Sequence, residues 1–287
     1  MPALAVGLLL AAAVAHASWN YVAKGANGSA PFIFCFTLFS EILYLPLTIA
    51  LLVWVRPALG PEVLAFAAVS GSLHAAYFLL LNRGYAIGDL SVVYPLARGT
   101  GPALSVVGAI VIFGERPSAV ALAGAAMVVA GIVVMTWSPG SRRTAELGRS
   151  VLFALATGAM IAAYTLWDNQ GVTMTTPIVY SYFLELMQLA LFAPFVLGSA
   201  VRRSDVGRIL REQRLAGGVI GVLSPGAYIL VLVALTLAPV SYVAPAREIS
   251  ILFGAILGLR LLGESDAPRR LAGAAAIVAG VFALALG

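Results

Sequence analysis

Residues 97–131 read ARGTGPALSVVGAIVIFGERPSAVALAGAAMVVAG, and residues 246–280 read AREISILFGAILGLRLLGESDAPRRLAGAAAIVAG. A constant offset of 149 lays the second over the first without a gap: Ala97 falls on Ala246, Arg98 on Arg247, Gly114 on Gly263 and Glu115 on Glu264. The run Leu122 to Ala126 falls on Leu271 to Ala275, and Ala130-Gly131 on Ala279-Gly280. With small shifts the correspondence extends towards the N-terminus, through Ser91, Val93 and Pro95 onto Ser241, Val243 and Pro245, Ala76-Tyr77 onto Ala227-Tyr228, and Glu41 onto Glu185. A repeat of this length marks a duplicated architecture.

Each copy is built from apolar runs long enough to cross a bilayer. Of the 287 residues, 61% are hydrophobic and 10% charged, and mean hydropathy is +1.00. A water-soluble domain carries about 25% charged residues, so this chain has too little polar surface to face water. At about 20 apolar residues per crossing, ten spans fit: 3–24, 31–55, 61–83, 89–113, 117–138, 149–168, 174–201, 215–237, 239–262 and 267–286. The run from Pro2 to Val22 lacks a basic leader and is read as span one rather than a signal peptide. Residues 1–138 form the first repeat, 139–148 a linker (within SPGSRRTAELGR) and 149–287 the second repeat. Five spans per copy is an odd number, so the second copy enters the membrane from the opposite side. The expected fold is therefore an all-α membrane protein of ten transmembrane helices in two inverted five-helix repeats, as in many secondary transporters.

The net charge of +5 reflects loop arginines that orient a membrane protein, and no nucleic-acid partner is expected. Lys24, Arg83, Arg142, Arg143, Arg149, Arg202, Arg203, Arg208, Arg211, Arg214, Arg260, Arg269 and Arg270 fall on one side, against Arg56 and Arg116 on the other. The positive-inside rule makes the first side cytoplasmic and both termini external. The single cysteine, Cys35, excludes an internal disulfide. No metal-ligand spacing and no phosphate-binding loop occur, so neither a metal nor a cofactor is expected.

The stretch GDLSVVYPLARGTGPALSVVGAIVIFGERPSAVALAGAAMVVAGIVVM resembles the end of an EamA domain of the drug/metabolite transporter superfamily, and REISILFGAILGLRLLGESDAPRRLAGAAAIVAGVFALAL resembles that end repeated. HASWNYVAKGA is similar to the first span of a bacterial subgroup. The resemblance implies a ten-helix carrier of the cell inner (plasma) membrane working by alternating access. It also implies a central cavity lined by spans one, three, four, six, eight and nine, with spans five and ten peripheral. Members export or exchange amino acids, other small metabolites, nucleotide sugars or sugar phosphates. Many have cytoplasmic termini, opposite to the arginine count here.

Ionisable groups inside spans cost about 2.5–3.5 kcal/mol on insertion scales and are functional candidates. Arg98 and Arg247 lie about eight residues into their spans, roughly 12 Å deep at ~1.5 Å per residue. Inversion brings one from each face, and a guanidinium pair can grip a carboxylate or phosphate bidentately. Glu41, Glu185 and Glu248 either couple an ion or brace the helices through one Arg–Glu pair in each half. His16 and His74 are packing residues or proton relays. Trp19, Tyr77, Tyr94, Tyr164, Tyr228 and Tyr242 are candidate cavity aromatics, Tyr77 and Tyr228 first because they match between repeats. Pro95, Pro245, Pro225 and Gly226 are candidate hinges, since proline removes a helix hydrogen bond. Glu115 and Glu264 suit helix-end roles. Small residues at spacing four in spans five and ten (Ala126/Ala130, Ala276/Gly280) suit close helix packing and a homodimer contact.

The leading expectation is thus a secondary carrier of a small anionic or zwitterionic metabolite, with the substrate and the lipid bilayer as partners. An intramembrane enzyme using Ser72 and His74 is a rival, but residues two apart on a helix face different directions. A transport-inactive receptor or assembly subunit is the third reading.

Overall fold

The computed structural model describes residues 1–23, 29–87, 90–136, 145–252 and 267–287. Eleven α-helices are described there, with no strand among the described residues: α1 Ala3–Ala23, α2 Ala30–Trp54, α3 Pro61–Ile87, α4 Leu90–Phe113, α5 Ala119–Thr136, α6 Ala145–Met174, α7 Pro177–Leu197, α8 Ala200–Glu212, α9 Arg214–Leu237, α10 Val240–Ala246 and α11 Ala267–Leu286. A 3₁₀ turn, Arg247–Ile249, continues α10. Among the described residues, six helices are long and apolar enough to cross a membrane, and three shorter apolar ones accompany them. The second part of expected span nine, together with Gly263 and Glu264, lies outside the described residues, as do the side chains of Tyr94 and Pro95.

Local chemistry explains the starts. Ser29 accepts the Phe32 N–H (3.4 Å) at the head of α2, with Pro31 in the first turn. Proline suits that position because its missing N–H would be unsatisfied there anyway. The head of α7 shares the proline but not the capping bond: Pro177 follows Thr176, whose side chain caps nothing. α6 starts at Ala145, inside the expected linker, and runs on to Met174, six residues past the expected end of span six. The hydrophilic stretch after span seven forms a separate amphipathic helix, α8, which buries Val206 and Ile209 and exposes Arg208 paired with Asp205 at 2.8 Å.

Helix pairings repeat between the halves: α1 packs on α9, and α3 on α6. The most extensive pairing joins α5 to α11. There a Cβ on Gly124 would stand 2.7 Å from the Gly280 carbonyl oxygen, and one on Gly131 2.7 Å from that of Gly273. The helices therefore run antiparallel at backbone contact distance, which only small residues permit. Offsetting by 149 turns Gly124 into Gly273 and Gly131 into Gly280, so exchanging the two helices maps this contact onto itself. The small-residue faces thus meet each other within one chain, and a homodimer through these helices would have to use their outer faces.

Several ends gather on one side. The Met1 ammonium donates to the Ala285 carbonyl (2.9 Å), and Tyr242 bridges the Ser118 N–H and the Gly287 carbonyl, at 3.3 Å each. Gly114 ends α4 with φ +67°, in the left-handed region that favours glycine. The turn delivers Glu115 to the head of α10, where its two oxygens accept the Val240 and Ser241 N–H groups at 2.9 Å each. A carboxylate across two free helix N–H groups is a strong cap. Glu115→Ala is expected to lower stability by about 2–3 kcal/mol, read as a lower midpoint in detergent thermal unfolding, whereas Glu115→Gln should lose less.

Candidate functional site

Between the halves lies a cavity of about 400 Å³, lined by α1, α2, α3, α4, α6, α7, α9 and the 3₁₀ turn. None of its lining residues comes from α5 or α11. Ala97, at the cavity wall, precedes Arg98 on α4. Pro245, which cannot donate to a helical ladder, is followed directly by the switch to the 3₁₀ turn that carries Arg247 and Glu248. α4, by contrast, continues unbroken across position 95.

The structure brings both repeat-matched arginines onto one carboxylate. Glu248, 1% exposed, lies 3.4 Å from Arg98 Nη1 and 3.3 Å from Arg247 Nε. This corrects the expectation of one Arg–Glu pair per half: the arginines share a single acid, and Glu41 pairs with neither. The trio carries one positive charge in excess. Arg247 Nη2 is buried without a hydrogen-bond partner among the described residues, and its guanidinium stands 5.6 Å from the Tyr164 ring centre. Arg98 Nη2 also faces His16 Nε2 at 3.3 Å, while Trp19 Nε1 donates to His16 Nδ1 at 3.3 Å. A neutral imidazole offers one acceptor, so His16 serves one of these donors at a time.

His74 stacks on Tyr164 (centroids 4.0 Å apart) and meets Tyr228 edge-on at 5.2 Å. Its Nδ1 lies 3.0 Å from the Ser70 carbonyl oxygen, while Ser72 donates to the Ala68 carbonyl. The Ser72–His74 pairing that an enzyme reading needs is therefore not formed. Behind His74 lies a residue that sequence reading missed. Asp168 is fully buried and accepts hydrogen bonds from the hydroxyls of Tyr180 (2.8 Å) and Tyr228. The available signal was an acid followed by a further helical turn and a half, concealed by ending span six at residue 168.

Tyr77, Tyr228 and Trp19 line the cavity, as do His16 and His74. Tyr242 does not. The bonds that tie it to Ser118 and Gly287 place it at the end of the bundle, away from the site for which it was a candidate. Pro225 is buried within the continuous α9, and Gly226 faces the Tyr44 hydroxyl, which donates to the Val222 carbonyl at 2.9 Å. Glu185 lines the cavity, and its Oε2 accepts from Ser40 Oγ at 2.5 Å. Glu41 is 6% exposed, with the Tyr182 hydroxyl as its hydrogen-bonding neighbour.

Apolar helices around a charged cavity define the class: a helical membrane protein. Residues 148–286 match the model of the EamA-like transporter family. That stretch is an EamA-like domain, a family within the drug/metabolite transporter superfamily. A protein of known crystal structure, 17% identical, superposes with a TM-score of 0.76 over 98% of this chain and 96% of that one, which shows a shared fold along the whole length. No curated protein matches.

Proposed function

We propose that this protein is a secondary carrier, ten helices in two inverted five-helix repeats, moving an amino-acid-like or other small anionic or zwitterionic metabolite across the bacterial inner membrane by alternating access, as an exporter or exchanger. The observation that carries the reading is the convergence of Arg98 and Arg247 on Glu248 at the cavity wall. A carboxylate or phosphate entering the cavity competes with Glu248 for guanidinium donors, above all for the unpartnered Arg247 Nη2.

The same geometry suits alternating access. Arg98 belongs to the first half, and Arg247 and Glu248 to the second, so the ion pair from Arg98 crosses between the parts that would rock against each other. Substrate exchanging for Glu248 changes the strength of that link and so biases the two arrangements, which is what a ligand must do to shift them. The antiparallel α5–α11 contact, self-mapping under the repeat offset, supports the inversion. Both termini at one end agree with an even number of crossings.

A thermal-shift screen of metabolites on the purified protein tests the proposal, because a ligand that binds only the folded state stabilises it by about 2.7 kcal/mol at a hundred times its Kd. Compounds bearing a carboxylate or phosphate are expected to raise the midpoint. A set of hits restricted to cations and uncharged solutes would refute the arginine-centred site.

A further inference from the structure

Beside the main cavity, α2, α7 and α9 enclose a second pocket of about 10 Å³, walled by Ser40, Glu41, Tyr44, Ser181, Tyr182 and Glu185, with Pro225 and Ile229 from α9. That volume admits one water-sized body. Among the described residues, every polar side-chain atom on its wall is an oxygen, and no arginine, lysine or histidine lines it. The Tyr182 hydroxyl is the one hydrogen-bonding neighbour of Glu41 among the described residues, and the buried Ser181 hydroxyl is unpartnered. Ser40 serves only one oxygen of Glu185. Two carboxylates in so small a space, with no basic side chain on its wall, are costly unless positive charge joins them.

We infer that Glu41 and Glu185 together bind one small monovalent cation, H⁺ or Na⁺, in this pocket. Oxygen-only walls suit a hard cation or a shared proton, and the volume excludes an organic ammonium. Glu185 lines both this pocket and the main cavity, so the charge bound here acts directly on the field that a substrate meets. Its role as the coupling ion rests on the proposed carrier function; the binding itself does not.

The test uses full-length purified protein without substrate. The thermal midpoint is followed in one arm as choline is replaced by Na⁺ at pH 8.5 and constant ionic strength, and in the other as pH falls from about 8.5 to 5.5 without Na⁺. The titratable groups facing Glu41 are Glu185, Tyr182 and Tyr44, and α9 contributes none, so Glu41→Gln and Glu185→Gln isolate the response. Wild type is expected to be stabilised in one arm, which identifies the ion, and both variants should lose that increment. Ser181→Ala, which leaves both acids in place, should weaken the Na⁺ response if Na⁺ is the ion, and it serves if a glutamine variant fails to fold. Equal responses from wild type and variants in both arms would overturn the site. Cation binding without any transport would instead leave the site standing and remove the carrier role.

Discussion

Arg247→Ala is expected to reduce substrate binding and flux by roughly 30-fold to several thousand-fold, the range that truncating one partner of a buried charge pair spans at about 2–5 kcal/mol. Removing this guanidinium deletes the one donor in the trio with no partner of its own and leaves Glu248 to Arg98 alone. The trio then loses its excess positive charge. Arg247→Lys keeps the charge but not the planar fork, so it should recover part of the binding and little of any bidentate selectivity. The purified variants are compared by ligand-induced thermal shift and by uptake into proteoliposomes. Both should stay folded, because Glu248 retains a cationic neighbour. Loss of folding in Arg247→Ala and Arg98→Ala alike would make the trio a structural brace.

Gly131→Val is expected to damage the fold more than any substitution in the cavity. Its Cβ would stand 2.7 Å from the Gly273 carbonyl oxygen and 2.9 Å from the Ile277 nitrogen, both of them backbone atoms that cannot rotate aside. α5 and α11 must then separate along their whole contact, at a cost of about 3 kcal/mol or more. Gly124→Val meets the Gly280 carbonyl in the repeat-equivalent way and should cost a similar amount. Combining the two should cost less than their sum, since the first separation makes room for the second. Gly7→Ala is the control: nothing lies within 4 Å of its Cβ, and alanine favours a helix by up to about 1 kcal/mol. Thermal unfolding in detergent gives the comparison, and an unchanged midpoint in Gly131→Val would show that the two helices do not meet at these glycines.

What the sequence made legible were features that repeat. Arg98 and Arg247 stood out as matched charges in apolar runs, and they do meet. That they meet on Glu248, which sits in the 3₁₀ turn after Pro245 and faces Arg98 of α4, is recorded by no periodicity. Asp168 was hidden by a boundary, because a polar residue near the end of an apolar run reads as a loop until the helix is seen to continue to Met174. Tyr242 was nominated by residue type alone, and its position at the head of α10 sends it to the end of the bundle instead. Glu41 and Glu185 were visible as equivalents, but their sharing of one pocket required the packing of α2 against α7. The hydrophilic stretch after span seven hid α8, whose apolar stripe is only Val206 and Ile209, too short to stand out from a run of arginines.

The most direct measurement of the central claim is counterflow in proteoliposomes preloaded with the carboxylate- or phosphate-bearing metabolite that most stabilises the purified protein. A carrier working from this cavity should accumulate labelled external substrate transiently, empty vesicles should not, and Arg247→Ala vesicles should lose the overshoot. Absence of counterflow by folded wild-type protein, or an overshoot left intact in Arg247→Ala, would contradict it.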